Sequence, residues 1–354
     1  MAVLVLVGTR KGLFLLEGDD ERREWSLEGP LLTGFSVFHA LADPRDGSLY
    51  ACTNFFGGGT VQRSTDGGKT WERAEELGLP EDGELKLNAV WHLEPGGDGE
   101  LWLGGDPGVL FRSDDKGVTW EPNRALLEHE TRERWGPGAG GMCLHSINVD
   151  PNDANRLVIG ISAAGVFRSD DAGESWEPVN KGTAADFLPE PYPDVGQCVH
   201  KVLVHPRQPD RLWQQNHCGV YRSDDRGTSW ERLDGNGLPS GFGFPLMLDP
   251  RDPDTAYVIP EQGADNRVVA EGRLGVFRTR DGGASWELAA DGLPERAWVG
   301  VLREASAWDG RDPNGLYFGT QGGSVFVSPS AGDEWIEAAR FLPPVLSVET
   351  AEWP

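Results

Sequence analysis

The stretch RSDDAGESW at 168–176 returns along the chain as RSTDGGKTW (63–71), RSDDKGVTW (112–120), RSDDRGTSW (222–230) and RTRDGGASW (278–286). The closing tryptophans stand at 71, 120, 176, 230 and 286, at intervals of 49, 56, 54 and 56 residues. A weaker copy ends at Trp335, with Ser330 in the aspartate's place, and a looser one ends at Trp25. Together they mark seven units. A fixed period of this length means units that bury their apolar faces only against their neighbours.

Each unit shows the same internal order. In one, LHSINVDP (144–151), RLVIGIS (156–162), GVFRS (165–169) and SWEPV (175–179) are short alternating runs separated by Gly, Pro and Asp. These are strand signals. Four strands per unit of about 50 residues predict the blade of a β-propeller. The chain opens directly on a second and third strand (VLVLVGT, LFLL) and closes on LPPVLSVETAEW, an inner strand without followers. The expectation is one all-β domain over 1–354, a seven-bladed β-propeller. Its C-terminal strand joins the N-terminal blade to close the ring.

The repeated motif is the Asp-box, so the chain resembles the Asp-box (BNR-repeat) propellers of the sialidase-like superfamily. The overall pattern is similar to bacterial BNR-repeat proteins labelled glycosyl hydrolase or exo-alpha-sialidase. The motif's own chemistry is that of a turn. Its Asp can accept from backbone N–H groups two residues on, its Gly can take positive φ, and its Trp packs into the blade. That places the motif in the frame, on the turn between third and outer strands. Function is then expected on the opposite, top face, where the connections stop repeating: 129–142, 183–197, 235–244 and 260–273, with shorter ones at 54–59 and 216–219.

Four histidines occupy similar places near the start of the inner strand: His39, His92, His145 and His200, spaced by 53, 53 and 55 residues. His217 lies in a top-face turn and could join them. Cys143 and Cys198 stand two residues before His145 and His200. Imidazoles from separate strands form a ligand set that suits a transition metal such as zinc, iron or copper. The competing reading is inheritance of a histidine that bonds one blade to the next. His205 takes the place that Asp43, Asp150 and Asp249 hold before proline, and is expected as a turn residue. His129 is expected in solvent.

The sialidase resemblance implies an arginine triad, a Tyr–Glu pair, an acidic Asp and an N-terminal Phe/Tyr-Arg-Ile/Leu-Pro motif. That motif is missing, since Arg10 stands in VGTRKG. No sialidase catalytic residue is carried over. A different glycoside hydrolase or lyase would need two carboxylates across a cleft, and Glu128, Glu130, Glu133, Glu190, Asp194, Glu261, Asp265 and Glu304 are candidates by location. Arg134, Arg267 and Arg303, with Glu261, are the candidate substrate-binding residues.

The formal net charge of −25 argues against nucleic acid or an anionic membrane surface as partner. The expected partner is a small molecule or glycan at the top face. A non-enzymatic scaffold for another protein is the alternative. The seven-residue apolar start lacks the marks of a signal peptide and four cysteines make no disulfide framework, so a cytoplasmic location is expected.

Overall fold

The computed structural model describes residues 2–55, 58–80, 85–97 and 99–353; Phe56 and Gly57 of the 54–59 loop lie outside them. It contains seven antiparallel sheets, each led by an inner strand: 345–353, 36–42, 89–95, 144–150, 199–205, 243–249 and 306–308 for blades one to seven. The blade read from sequence at 144–179 has strands at 144–150, 153–161, 165–169 and 177–178. The ring closes as expected. The C-terminal strand pairs antiparallel with Ala2–Thr9, from Ala2 opposite Trp353 to Thr9 opposite Val345. The sixth blade carries one extra short strand, Asn266–Val269, on its second strand. Among the described residues no helix is long and apolar enough to cross a membrane.

The Asp-box is a local hydrogen-bond cage. In the fourth blade the Ser169 hydroxyl donates to Asp171 at 2.8 Å and accepts from the Gly173 N–H at 2.8 Å. Asp171 accepts from the Ser175 N–H at 2.9 Å and hydroxyl at 2.6 Å. The aspartate thus reaches four residues on, not the two expected of an Asx-turn, because the serine hydroxyl fills the shorter span. Gly173 sits at φ 83°, as the turn requires. The same cage holds Asp66 down to about 2, chiefly through the Thr70 hydroxyl and N–H. In the seventh blade the Ser330 hydroxyl substitutes, accepting from the Glu334 N–H at 3.0 Å.

The motif also joins blades. The Trp230, Trp286 and Trp335 indoles donate to the Val179, Leu233 and Ala289 carbonyls of the preceding blade at 2.8, 3.0 and 2.9 Å. Their rings are buried. The motif is frame, and it lies on the face opposite the long connections. His205 performs the aspartate's turn function: its Nδ1 accepts from the Arg207 N–H at 3.2 Å, as Asp150 accepts from Asn152 at 2.8 Å. His129 differs from the expectation of a solvated side chain. It is half-buried against Phe167, with its Nε2 facing the Trp176 carbonyl at 3.1 Å.

Candidate functional site

The four histidines occupy two adjacent positions, because the inner strands carry a β-bulge near their start. Pairing skips Phe38, Trp91, His145 and His200, and resumes at His39, His92, Ser146 and Lys201. His39 and His92 are therefore equivalent to Ser146 and Lys201, whereas His145 and His200 are equivalent to Phe38 and Trp91. A bulge re-aims the residues on either side of it. The five predicted ligands consequently divide into three environments.

His39 and His92 join the central channel, with ring centroids 4.2 Å apart. His92 Nδ1 lies 2.9 Å from Glu304, and the Lys201 ammonium donates to both Glu304 oxygens at 3.1 and 3.0 Å. His39 Nε2 meets Glu349 at 3.1 Å while its Nδ1 accepts from the Leu93 N–H at 3.3 Å. Glu304 stands five residues before the seventh blade's turn residue Asp309 and brings a carboxylate to the channel. Burial alone would raise Glu304, but Lys201 and His92 outweigh it and keep the carboxyl ionised, well below its ordinary range. Burial also opposes charge on His92, yet Glu304 and Glu94 carry its pKa up to about 9. His39, farther from Glu304 at 3.9 Å, is held low by burial and by His92. The proton of the pair therefore sits on His92.

His145 bridges blades: its Nε2 donates to the Val199 carbonyl at 2.9 Å and its Nδ1 faces the Ser146 hydroxyl at 3.0 Å. His200 and His217 lie elsewhere, at a top-face pocket of about 230 Å³ that also exposes Cys198, Phe244, Arg267 and Arg303. Gly138–Gly141 and Ser162 complete its wall. His200 stacks on Phe244 at 4.3 Å and meets His217 edge-on at 5.6 Å.

Two guanidiniums dominate this pocket. Arg303 lies over Trp91 and Phe244, 5.5 Å from each ring centroid, and donates to the Ser162 hydroxyl at 2.7 Å. Arg267 covers Phe244 at 5.6 Å and donates to the Ala264 carbonyl at 3.2 Å. Among the described residues neither pairs with a carboxylate. None of the eight candidate carboxylates lines the pocket. Arg134 is engaged outside it, in a two-pronged exposed pair with Asp194 at 2.7 and 2.8 Å. Glu261 is nearby but buried, with one carboxylate oxygen unpartnered among the described residues. Burial pushes it up to about 7 against the opposing pull of Val301 and Arg267.

Sequence reasoning missed Lys201 and the Glu304 ion pair. It weighed Cys198 only as a neighbour of His200. Among the described residues the exposed aromatics are Phe187, Tyr192, Trp298 and Phe341, on top-face connections, and Phe55, at the end of the strand that leads into one.

The comparisons agree with this architecture. The family model of the photosynthesis system II assembly factor YCF48 matches residues 53–186. Xyloglucanase Xgh74A of Acetivibrio thermocellus is 35% identical over 278 residues, covering 67% of this chain and 30% of that one. A sialidase of Bacteroides fragilis is 28% identical over 201 residues, covering 46% and 36%. A xyloglucanase of Paenibacillus sp is 32% identical over 132 residues, covering 35% of this chain and only 12% of the relative. The chain thus spans a minor part of the length of these curated relatives. Among solved structures, a Lactobacillus plantarum protein superposes with a TM-score of 0.65 at 12% identity, covering 99% of this chain and all of that one. The Niastella koreensis GH74 enzyme gives 0.62 at 15%, covering 98% and 51%. At these identities the structural likeness is one of fold. With the repeats and the seven blades together, the chain is a β-propeller built on Asp-box repeats, similar over part of its length to BNR-repeat proteins and to xyloglucanases.

Proposed function

We propose that the top face binds a small anionic molecule, held by Arg303 and Arg267. The observation that carries this reading is the pair of guanidiniums spared from carboxylates, set on one aromatic ring, in a chain of net charge −25. In so acidic a protein an arginine free of acidic partners keeps its charge for a ligand, and a guanidinium fork matches a carboxylate or phosphate. The surrounding Phe244 and Trp91 lower the local dielectric and strengthen that attraction. The volume is below the roughly 300–1,000 Å³ of drug-sized sites, which suits a monosaccharide acid, a small dicarboxylate or a phosphate ester.

A second reading, glycan binding, draws on the exposed aromatics of the top face and on relatives named xyloglucanase. Sugar acids would satisfy both readings. The test is thermal shift at constant ionic strength with small carboxylates, sugar acids, sugar phosphates and matched neutral sugars. An anion at 100 times its Kd should stabilise by about 2.7 kcal/mol, and Arg303→Met should abolish the shift. Equal shifts in the native protein and Arg303→Met, or shifts with neutral sugars alone, would overturn the anion reading. The latter result would favour the glycan.

A further inference from the structure

Anion binding leaves three groups in the pocket wall without a task. Cys198, His200 and His217 each offer a ligand atom, and these atoms lie within 4.8 Å of one another. We propose that Cys198, His200 and His217 hold a zinc-class divalent cation, with a fourth coordination position opening towards Arg303 and Arg267.

The hydrogen bonds separate these histidines from the others. His39, His92 and His145 have their ring nitrogens committed to carboxylates, backbone groups or a hydroxyl. His200 commits only one: its Nδ1–H donates to the Gly243 carbonyl at 2.6 Å. That bond fixes the tautomer and leaves the Nε2 lone pair without a partner among the described residues, on a side chain only 2% exposed. A carbonyl behind a ligating imidazole is the usual way a metal-binding histidine is aimed. Neither His217 nitrogen has a hydrogen-bond partner among the described residues, and its ring is wedged between Phe187 and Phe242 at 5.2 and 5.1 Å. Cys198 is a free thiol. The backbone N–H of His217 donates to the Cys198 carbonyl at 2.9 Å, which ties the strand start to the turn that carries the second ligand.

The His39–His92–Glu304 group has the right elements but not the vacancy. Its carboxylate already holds the Lys201 ammonium and His92. At the top-face group, zinc bond lengths imply a sulfur-to-nitrogen edge of about 3.6 Å, so the ligands draw in by no more than roughly 1 Å.

On binding, the sulfur–proton bond breaks and a sulfur–metal bond forms, with the proton passing to solvent. A divalent cation and one thiolate leave a single positive charge beside two guanidiniums. The fourth ligand is therefore an anion: hydroxide, or the carboxylate of the proposed ligand. That last step rests on the anion reading. Metal binding itself does not.

The test is titration of the full, untagged, metal-free chain with cobalt(II) alone. We expect one equivalent to saturate a thiolate-to-cobalt charge-transfer band, with visible bands of a four-coordinate site. Cys198→Ser should remove the charge-transfer band, and His217→Gln should weaken cobalt binding by at least about tenfold. Cys143→Ser and His145→Gln should leave both unchanged, with circular dichroism reporting the fold. No band in the native protein, or a band that survives Cys198→Ser, overturns the proposal. Arg303→Met separates the two ideas. If it keeps the cobalt spectrum while no anion binds the native chain, the metal stands and the anion reading falls. Anion binding by the metal-free chain without any cobalt band gives the reverse.

Discussion

Replacing Glu261 with glutamine should remove a pH dependence built into the sixth blade's second strand, Asp252–Gly263. Glu261 is 2% exposed, one of its oxygens has no partner among the described residues, and burial pushes its carboxyl from 4.5 up to about 7. Below pH 4.5 the group is protonated whether the chain is folded or not, so it contributes no difference. Between pH 4.5 and 7 the unfolded chain releases a proton that the folded chain keeps, so the native protein loses stability as pH rises. Above pH 7 both states are ionised and the full cost is reached. At about 1.4 kcal/mol per pH unit the cost is about 3 kcal/mol. Glutamine has the same shape and does not titrate. Urea unfolding at pH 5, 6, 7 and 8, followed by tryptophan fluorescence, should show Glu261→Gln gaining on the native protein by most of that amount, then levelling. Any constant offset from the amide cancels in the comparison. A stability difference that is flat across this range would refute the reasoning.

Other outcomes follow from the frame and the channel. Trp230→Ala should cost about 3–5 kcal/mol, read in the same denaturation, because it empties a buried inter-blade site and leaves the Val179 carbonyl without its donor. Lys201→Met should cost about 3–5 kcal/mol by stranding Glu304, and adding Glu304→Gln should recover much of it. A double variant no better than the single would show that Lys201 acts through packing rather than charge.

The architecture was legible because every blade repeats one set of turn residues. The Asp-box spacing gave the blade count, and the missing partner strand at each end of the sequence gave the closure. The histidines were harder, since spacings of 53 and 55 residues look uniform. The distance to the lower turn tells them apart: His39 stands four residues before Asp43, but His145 and His200 stand five residues before Asp150 and His205. That one-residue difference moves a side chain across the bulge, out of the channel. Glu304 breaks the rule: it stands five residues before Asp309, yet its carboxylate meets His92 and Lys201 in the channel, and no count along the chain announces that. Lys201 escaped notice because nothing in one strand announces that its ammonium meets a carboxylate 103 residues on. Arg303 and Arg267 were identified by location, and only three dimensions show that, among the described residues, neither forms an ion pair with a carboxylate.

The most direct test of the central claim is an anomalous difference map from crystals soaked in bromide, an anion probe with no preference for shape. An ordered bromide is expected in the top-face pocket within reach of Arg303 and Arg267. Bromide at other arginines with none in this pocket would contradict it.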